Sequence, residues 1–369
     1  MSAPDDTNAV LLISEPVVPG GIGIYTGNLL RGLAHVGMPH PIISNRKPVA
    51  GILPEEDSEQ IEVLDSLFRP LWWPLIRSRL ENWAREREAG LIHGMSAVTA
   101  PLCAKLAARL KIPYIVTVHH YQKKGAIPPD PWLKAVVTVS DALREHLVND
   151  AGLSKELVRL IPAGIDVPRE LPARPVEYAQ DEESSIPLVS CFSKLVPRKD
   201  CACFLRAIRR VLDTLGRECS FVLAGDGPEE PALRKLAKEL QIERNVTFCH
   251  GAIRYDELLR DTDVYVQCSK VEGFGTMVLQ AMAHGVPVVA TATGGLLSLV
   301  QDSETGYLVP VGDHEALATR IINLLNDPEL SHRFGEAGRQ IATTQYTLER
   351  MMEKTLEIYA EARGVPVGV

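Results

Sequence analysis

Glu272-Gly-Phe-Gly-Thr-Met-Val-Leu-Gln-Ala-Met-Ala-His-Gly-Val-Pro-Val-Val-Ala290 is the most informative stretch of the chain. A tight glycine turn leads into a helix of about two and a half turns. A glycine then stops the helix and an apolar strand follows. Gly273 and Gly275 free the backbone for unusual dihedrals and for close approach to a ligand. The N–H groups of Thr276 and Met277 open the helix, and such a terminus suits a phosphate. Glu272 stands just before it. A carboxylate there either caps the helix or binds the hydroxyls of a polyol, and the residues alone leave both readings open.

Outward from this stretch, apolar runs alternate with amphipathic segments along the whole chain. In the first half, strands are expected at 9–13, 41–44, 91–93, 112–118, 135–139 and 158–161. Helices are expected at 24–35, 75–88, 98–110 and 141–151. The second half repeats the alternation. Its strands are expected at 188–192, 220–224, 245–249, 264–267, 286–290 and 307–309. Its helices are expected at 201–215, 229–240, 255–260, 276–284, 314–325, 328–343 and 347–362. Continuous apolar strands between helices imply parallel sheets covered on both faces. From 166 to 187 the pattern breaks around Pro168, Pro172, Pro175, Pro187 and the acidic run 181–183, as a linker would. The expected fold class is therefore α/β: two Rossmann-like, doubly wound domains at 1–165 and 188–344, joined by a linker at 166–187, with an interdomain cleft. Ligands of such sheets sit outside the carboxyl ends of the strands.

Composition narrows the function. The 369 residues are 46% hydrophobic and 23% charged, with a net charge of −8, as in an ordinary globular protein. Residues 1–165 balance 17 basic against 17 acidic side chains, so the remainder carries all the excess acid. An acidic chain lacks the basic face that nucleic acid requires. The acidic N-terminus has no apolar core of a secretory leader, and no apolar run reaches the length of a membrane span. A cytoplasmic protein with reduced thiols is expected from its seven scattered cysteines. Cys201-Ala-Cys203 lacks a matching Cys/His pair, so no metal site is expected.

The stretch at 272–290 resembles the Glu-x7-Glu region of family-4 retaining glycosyltransferases, which adopt the GT-B fold. Other segments match the family in order and spacing over nearly the whole chain. Pro19-Gly-Gly-Ile-Gly-Ile-Tyr25 resembles its first glycine loop, and Val116-Thr-Val-His119 a strand that ends in histidine. Val139-Ser-Asp-Ala-Leu143 and Val158-Arg-Leu-Ile-Pro-Ala-Gly-Ile-Asp166 resemble the end of its first domain. Phe192-Ser-Lys-Leu-Val-Pro-Arg-Lys199 resembles its donor-phosphate segment. Val222-Leu-Ala-Gly-Asp-Gly-Pro228 and Glu304-Thr-Gly-Tyr-Leu-Val309 also fit.

The resemblance implies a transferase that moves a sugar from a nucleotide-diphosphate donor, most often UDP-linked, to an acceptor hydroxyl with retention. It implies no metal and no cofactor beyond the nucleotide sugar. Glu272 would bind donor-sugar hydroxyls with the amides of Phe274 and Gly275. His119 would hydrogen-bond the sugar and shape the acceptor pocket, and Gly21 would touch the transferred group through its backbone. Lys194 and Lys199 would hold the diphosphate. Charges about 4 Å apart at an effective dielectric of about 20 attract by roughly 4 kcal/mol before desolvation. Gly273, Thr276 and Met277 complete the donor loop, and the base would be read near 251–254. A C-terminal helix within 345–369 would cross back to the first domain.

Three departures from the family pattern bear on the donor site. Gln280 stands in place of the second glutamate, which usually holds the ribose. Lys194 replaces an arginine, giving a point charge for a bidentate fork. Ser193 replaces a glycine. These changes read as a retuned donor site; the alternative is a non-catalytic GT-B module that binds a nucleotide sugar or a partner. The acceptor, a glycan, lipid or small molecule, is left open. Residues 68–83 carry three of the four tryptophans with Arg69, Arg77 and Arg79. This segment fits either a peripheral membrane contact or ordinary helix packing.

Overall fold

Ala9–Ser14 (β1) is apolar up to its last residue, and every side chain in it is buried. A strand with no polar face needs cover on both sides, which is the position of a central strand in a parallel sheet. The computed structural model describes residues 9–15, 20–47, 61–65, 67–68, 73–165, 186–250 and 255–365. It comprises two compact units, residues 1–164 with 348–369, and residues 165–347.

In the first unit β1 lies among Ile42–Ser44 (β2), Ile61–Val63 (β3), Ala89–Gly94 (β4), Tyr114–Val118 (β5), Leu133–Thr138 (β6) and Val158–Leu160 (β7). All pair in parallel, in the order β3-β2-β1-β4-β5-β6-β7. The connections run through Gly21–His35 (α1), Trp73–Glu86 (α2), Ala100–Leu110 (α3) and Asp141–Asn149 (α4). Helix α4 starts where the Ser140 hydroxyl accepts the Leu143 N–H at 3.2 Å, a side-chain cap for an orphan donor. Helix α2 turns Ile76, Leu80, Trp83 and Ala84 inward, the stripe of an amphipathic helix.

The second unit repeats the plan with Leu188–Phe192 (β8), Ser220–Ala224 (β9), Val246–Cys249 (β10), Val264–Gln267 (β11), Val288–Thr291 (β12) and Gly306–Val309 (β13). Its parallel order is β10-β9-β8-β11-β12-β13. The helices are Cys201–Leu215 (α5), Glu230–Glu239 (α6), Tyr255–Arg260 (α7), Thr276–Ala283 (α8), Leu296–Leu299 (α9), His314–Asn326 (α10) and Pro328–Gln345 (α11). Asp313 and Asp327 cap α10 and α11 through the Ala316 and Leu330 N–H groups, both at 2.9 Å. Phe204 of α5 meets Phe221 of β9 edge-on at 6.3 Å in the core.

The last helix, Leu348–Arg363 (α12), belongs to the first unit. There Met352 presses against Gly32 of α1, and the Gly164 N–H points at Met351 Sδ at 3.1 Å. The unit boundary differs slightly from the expected 1–165 and 345–369. Ile165 donates its N–H to the Tyr346 carbonyl at 2.9 Å and bridges Thr347, so both belong to the second unit. Helix α1 begins at Gly21, before the expected residue 24, and the short β3 and α9 were not anticipated. Most of the expected linker, residues 166–185, lies outside the described residues, as do 366–369. Among the described residues no helix is long and apolar enough to cross a membrane.

Helix α11 packs against the end of α8 at Gly335, where a methyl group would stand 2.0 Å from the Gly285 carbonyl oxygen. Backbone cannot yield as a flexible side chain does. Gly335→Ala is expected to cost about 1–3 kcal/mol. In a calorimetric melt this lowers Tm by about 2–4 °C per kcal/mol.

Candidate active site

Strand order reverses between β1 and β4 in the first unit and between β8 and β11 in the second. At such a point neighbouring connections leave on opposite faces and open a crevice at the carboxyl ends. The loop after β8 carries Ser193, Lys194, Arg198 and Lys199. The loop after β11 carries Ser269, Lys270 and Glu272 and runs into α8. The loops are stitched together: the Lys270 N–H donates to the Arg198 carbonyl at 2.8 Å, and the Cys268 thiol to the Asp200 carbonyl at 3.2 Å.

Lys199 Nζ donates to Glu272 Oε2 in an ion pair whose side chains are 14% and 9% exposed. The same oxygen accepts the Ser269 hydroxyl at 2.9 Å, and Gln267 Nε2 donates to Ser269 Oγ at 2.9 Å. The Tyr265 hydroxyl lies 3.0 Å from Gln267 Oε1, and Thr291 Oγ1 donates to the Ser269 carbonyl at 2.6 Å. A buried polar ladder thus ends on Glu272. Burial pushes the Glu272 carboxyl up. The Lys199 charge, the Lys199 and Ser269 hydrogen bonds and the Arg198 charge together outweigh it and hold the carboxyl below its ordinary value.

The sequence suggested separate tasks for Lys199 and Glu272, whereas the structure binds them to each other. Two charges so far out of water need a partner, and each is the other's. Lys194 is exposed and enters no ion pair among the described residues. Arg198, which the sequence reading passed over, is half-buried and acts on the Glu272 carboxyl. Its only signal was its place beside Lys199. Lys270 Nζ lies 3.5 Å from Asp200 Oδ1.

Gly273, Phe274, Gly275, Thr276 and Met277 are buried behind Glu272. Gly275 takes φ 106 at the start of α8, and the first N–H groups of that helix have no intrahelical acceptor. Gln280 lies one turn beyond Thr276 and is half-buried. Ser193 Oγ is sealed from solvent with no hydrogen-bond partner among the described residues. The adjoining Gly-Asp-Gly turn clamps this loop. The Leu195 N–H donates to the Asp226 carbonyl at 2.9 Å, and Gly225, at φ 144, lies so near Ser193 that a Cβ would stand 1.9 Å from its carbonyl oxygen. The backbone of Asp226 therefore takes part in the clamp.

In the first unit Gly21 opens α1. His119 follows β5 and is half-buried, while its neighbour His120 is exposed. The Tyr25 ring stands edge-on to His119 at 4.7 Å and 74°. Burial, then the neighbouring His120 and His93, push His119 down to about 3 against a backbone hydrogen bond with Met95, so its imidazole is neutral at pH 7. Its Nε2 is sealed from solvent and has no hydrogen-bond partner among the described residues. Residues 251–254 and Pro19 lie outside the described residues. All seven cysteines are free thiols. Among the described residues no three His, Cys, Asp or Glu side chains gather as metal ligands would.

Two family models match the chain: Glycosyltransferase Family 4 over residues 19–169 and Glycosyl transferases group 1 over residues 179–341. N-acetyl-alpha-D-glucosaminyl L-malate synthase of Bacillus anthracis is 28% identical over 367 residues, 92% of this chain and 93% of that enzyme. The GDP-mannose-dependent alpha-(1-6)-phosphatidylinositol monomannoside mannosyltransferase of Mycolicibacterium smegmatis is 30% identical over 298 residues, 73% and 76% of the two chains. Among solved structures, Anabaena HepE in complex with UDP and glucose superposes with a TM-score of 0.83 at 20% identity, covering 96% of this chain and 100% of that one. Sucrose-phosphate synthase of Thermosynechococcus elongatus gives 0.74 at 21% identity, covering 96% and 99%. These likenesses establish the fold as GT-B.

Because Glu272 titrates low in the folded protein, its pair contributes stability that is complete above the ordinary value of 4.5. That stability is lost as pH falls through the lowered folded value. Glu272→Gln leaves Lys199 buried without its counter-charge and is expected to cost about 3–5 kcal/mol at pH 7. The gap in Tm between wild type and variant should narrow as pH is lowered from 7 to below 4. A gap independent of pH would mean that the pair does not stabilise the fold. Gly225→Ala should displace the Ser193–Leu195 backbone and weaken nucleotide binding, read by calorimetric titration with UDP.

Proposed function

The chain belongs to the family-4 glycosyltransferases of group 1, and from that premise we propose that it transfers a hexose from a UDP-sugar to an acceptor hydroxyl with retention at the anomeric carbon. It is a transferase that uses a nucleotide-diphosphate sugar. The observation that carries the finer reading is the buried Lys199–Glu272 pair beside the amides of α8.

When a donor enters, its diphosphate offers Lys199 a second anionic partner. The ammonium shifts its hydrogen bonds toward the phosphates, with Lys194 and the α8 amides completing the anion site. Glu272 remains ionised, anchored by Ser269, and accepts hydrogen bonds from sugar hydroxyls. The half-buried Gln280 can both donate to and accept from the ribose hydroxyls. Gly21 and the neutral His119 of the first unit take the sugar-side contacts that the family resemblance implies, His119 through its unpartnered Nε2. Transfer then proceeds on one face of the sugar. The bond from the anomeric carbon to the phosphate oxygen breaks, and its electron pair stays on the diphosphate. The acceptor oxygen bonds to the same carbon, and the departing phosphate oxygen takes the acceptor's proton. On this reading the two ammonium groups and the helix amides would neutralise the diphosphate in place of a metal ion.

The acceptor does not follow from the family, since one relative named above is a synthase of N-acetyl-alpha-D-glucosaminyl L-malate and the other a phosphatidylinositol monomannoside mannosyltransferase. Peripheral membrane contact through residues 68–83 would rest on Leu75, 71% exposed, with the exposed Arg79 and the half-buried Arg77. The apolar face of α2 is spent on packing, with Trp83 buried beneath the Arg87 guanidinium at 4.1 Å. Retention on anionic vesicles at low salt would support the contact.

Thermal shifts with UDP, GDP, ADP and dTDP test the donor reading. A ligand at 100 Kd adds about 2.7 kcal/mol to the folded state. UDP should stabilise the wild type and lose most of that effect in Lys199→Ala, each compared with its own ligand-free melt. Glu272→Ala should cut turnover far more than affinity for UDP. No shift with any nucleotide would favour a non-catalytic module.

A further inference from the structure

Four polar side chains from four segments meet in the core of the first unit, next to His119. His93 on β4 is 1% exposed. Its Nδ1 lies 2.7 Å from the Tyr359 hydroxyl on α12, and its Nε2 lies 2.7 Å from Thr117 Oγ1 on β5. Thr117 in turn hydrogen-bonds the Tyr25 hydroxyl on α1. Tyr25, Thr117 and Tyr359 are as deeply buried as His93. Burial pushes the His93 imidazole down to about 3, so it is neutral, with one N–H and one lone pair. Each ring nitrogen therefore has a hydroxyl to serve, one as donor and the other as acceptor.

Taking four polar groups out of water is unfavourable compared with apolar side chains of the same size, even when all are bonded. What they provide is rigidity. The chain ends at Tyr25, whose ring edge stands against the His119 imidazole. Residues 117 and 119 alternate along β5 and its extension, so they face the same side of the sheet. The His119 ring is held by Tyr25 and by the Met95 backbone, which leaves Nε2 without a hydrogen bond among the described residues.

We propose that Tyr359, His93, Thr117 and Tyr25 form a positioning relay that sets the orientation of the His119 imidazole for sugar transfer. The proposal rests on the reading of His119 given above. It makes the C-terminal helix part of the sugar-side apparatus although Tyr359 touches no substrate. Tyr25 and Tyr359 are positioning residues, acting through His119.

Two measurements on the full chain test this. The first needs no substrate: the imidazole nitrogen signals of His119 are followed by NMR in wild type, Tyr25→Leu, Tyr25→Phe and Thr117→Val. One tautomer with sharp signals is expected in wild type, and shifted or exchange-broadened signals in Tyr25→Leu and Thr117→Val. Tyr25→Phe, which keeps the ring edge and loses the hydroxyl, should fall between. Unchanged His119 signals in both Tyr25→Leu and Thr117→Val overturn the relay.

The second is a double-mutant cycle on nucleotide release from UDP-glucose and from GDP-mannose. Tyr25→Leu should lower kcat by about 10–100-fold, with donor KM changed by less than about twofold. It should have no further effect in a His119→Ala background. Additive losses would mean a merely structural role and would overturn the proposal. Full turnover in His119→Ala refutes the role given to His119 itself, a different failure, because the NMR result still reports whether the ring depends on the relay. The NMR arm alone decides the relay where neither donor is accepted.

Discussion

A carboxylate and an ammonium held almost out of water tolerate very little displacement, and the loops after β8 and β11 are organised around that constraint. Lys199 and Glu272 each need the other, so the loops that carry them cannot move independently. The surrounding bonds follow from this. Ser269 and Gln267 hold the carboxylate from below, Thr291 fixes the Ser269 backbone, and the Arg198 carbonyl ties one loop to the next. Packing at Gly225 serves the same end, since a side chain there would push the Ser193 carbonyl away. On the reading proposed above, a nucleotide sugar would bring an anion for Lys199 and hydroxyls for Glu272, so that each charge would keep a partner.

The first unit solves a similar problem without net charge. Its buried groups are hydroxyls and neutral imidazoles, linked from α12 through β4 and β5 to α1. One unit thus buries a charge pair, and the other a set of linked neutral groups. Both arrangements stand at carboxyl ends of strands next to a reversal of strand order. There the chain leaves the sheet toward opposite faces and side chains gather without blocking one another.

Much of this was legible in the sequence. Apolar runs such as 9–13 and 188–192 have no polar face and read as buried strands of a parallel sheet. Helices α5 and α7 begin and end where their apolar spacing does. Short elements were not legible. Ile61–Val63 contributes three half-buried residues at the edge of its sheet, too few to display a period. Leu296–Leu299 is a single turn. Glu272, Lys199 and His119 could be named from their motifs because a glycine turn, a strand end and a basic loop are local patterns.

Hydrophobic period and backbone permissiveness are properties of neighbours along the chain, so the sequence alone carries the two α/β halves and their glycine-bearing loops. It also determined which residues carry the family's motif. Which of those residues share a desolvated space follows from the packing of the folded chain. Lys199 and Glu272 are 73 positions apart, and His93 and Tyr359 are 266 apart. Strand order and helix packing bring such pairs together, and burial then turns proximity into a strong interaction. No local pattern encodes that outcome, since the energy of a charge or hydroxyl depends on what the rest of the fold has removed from around it.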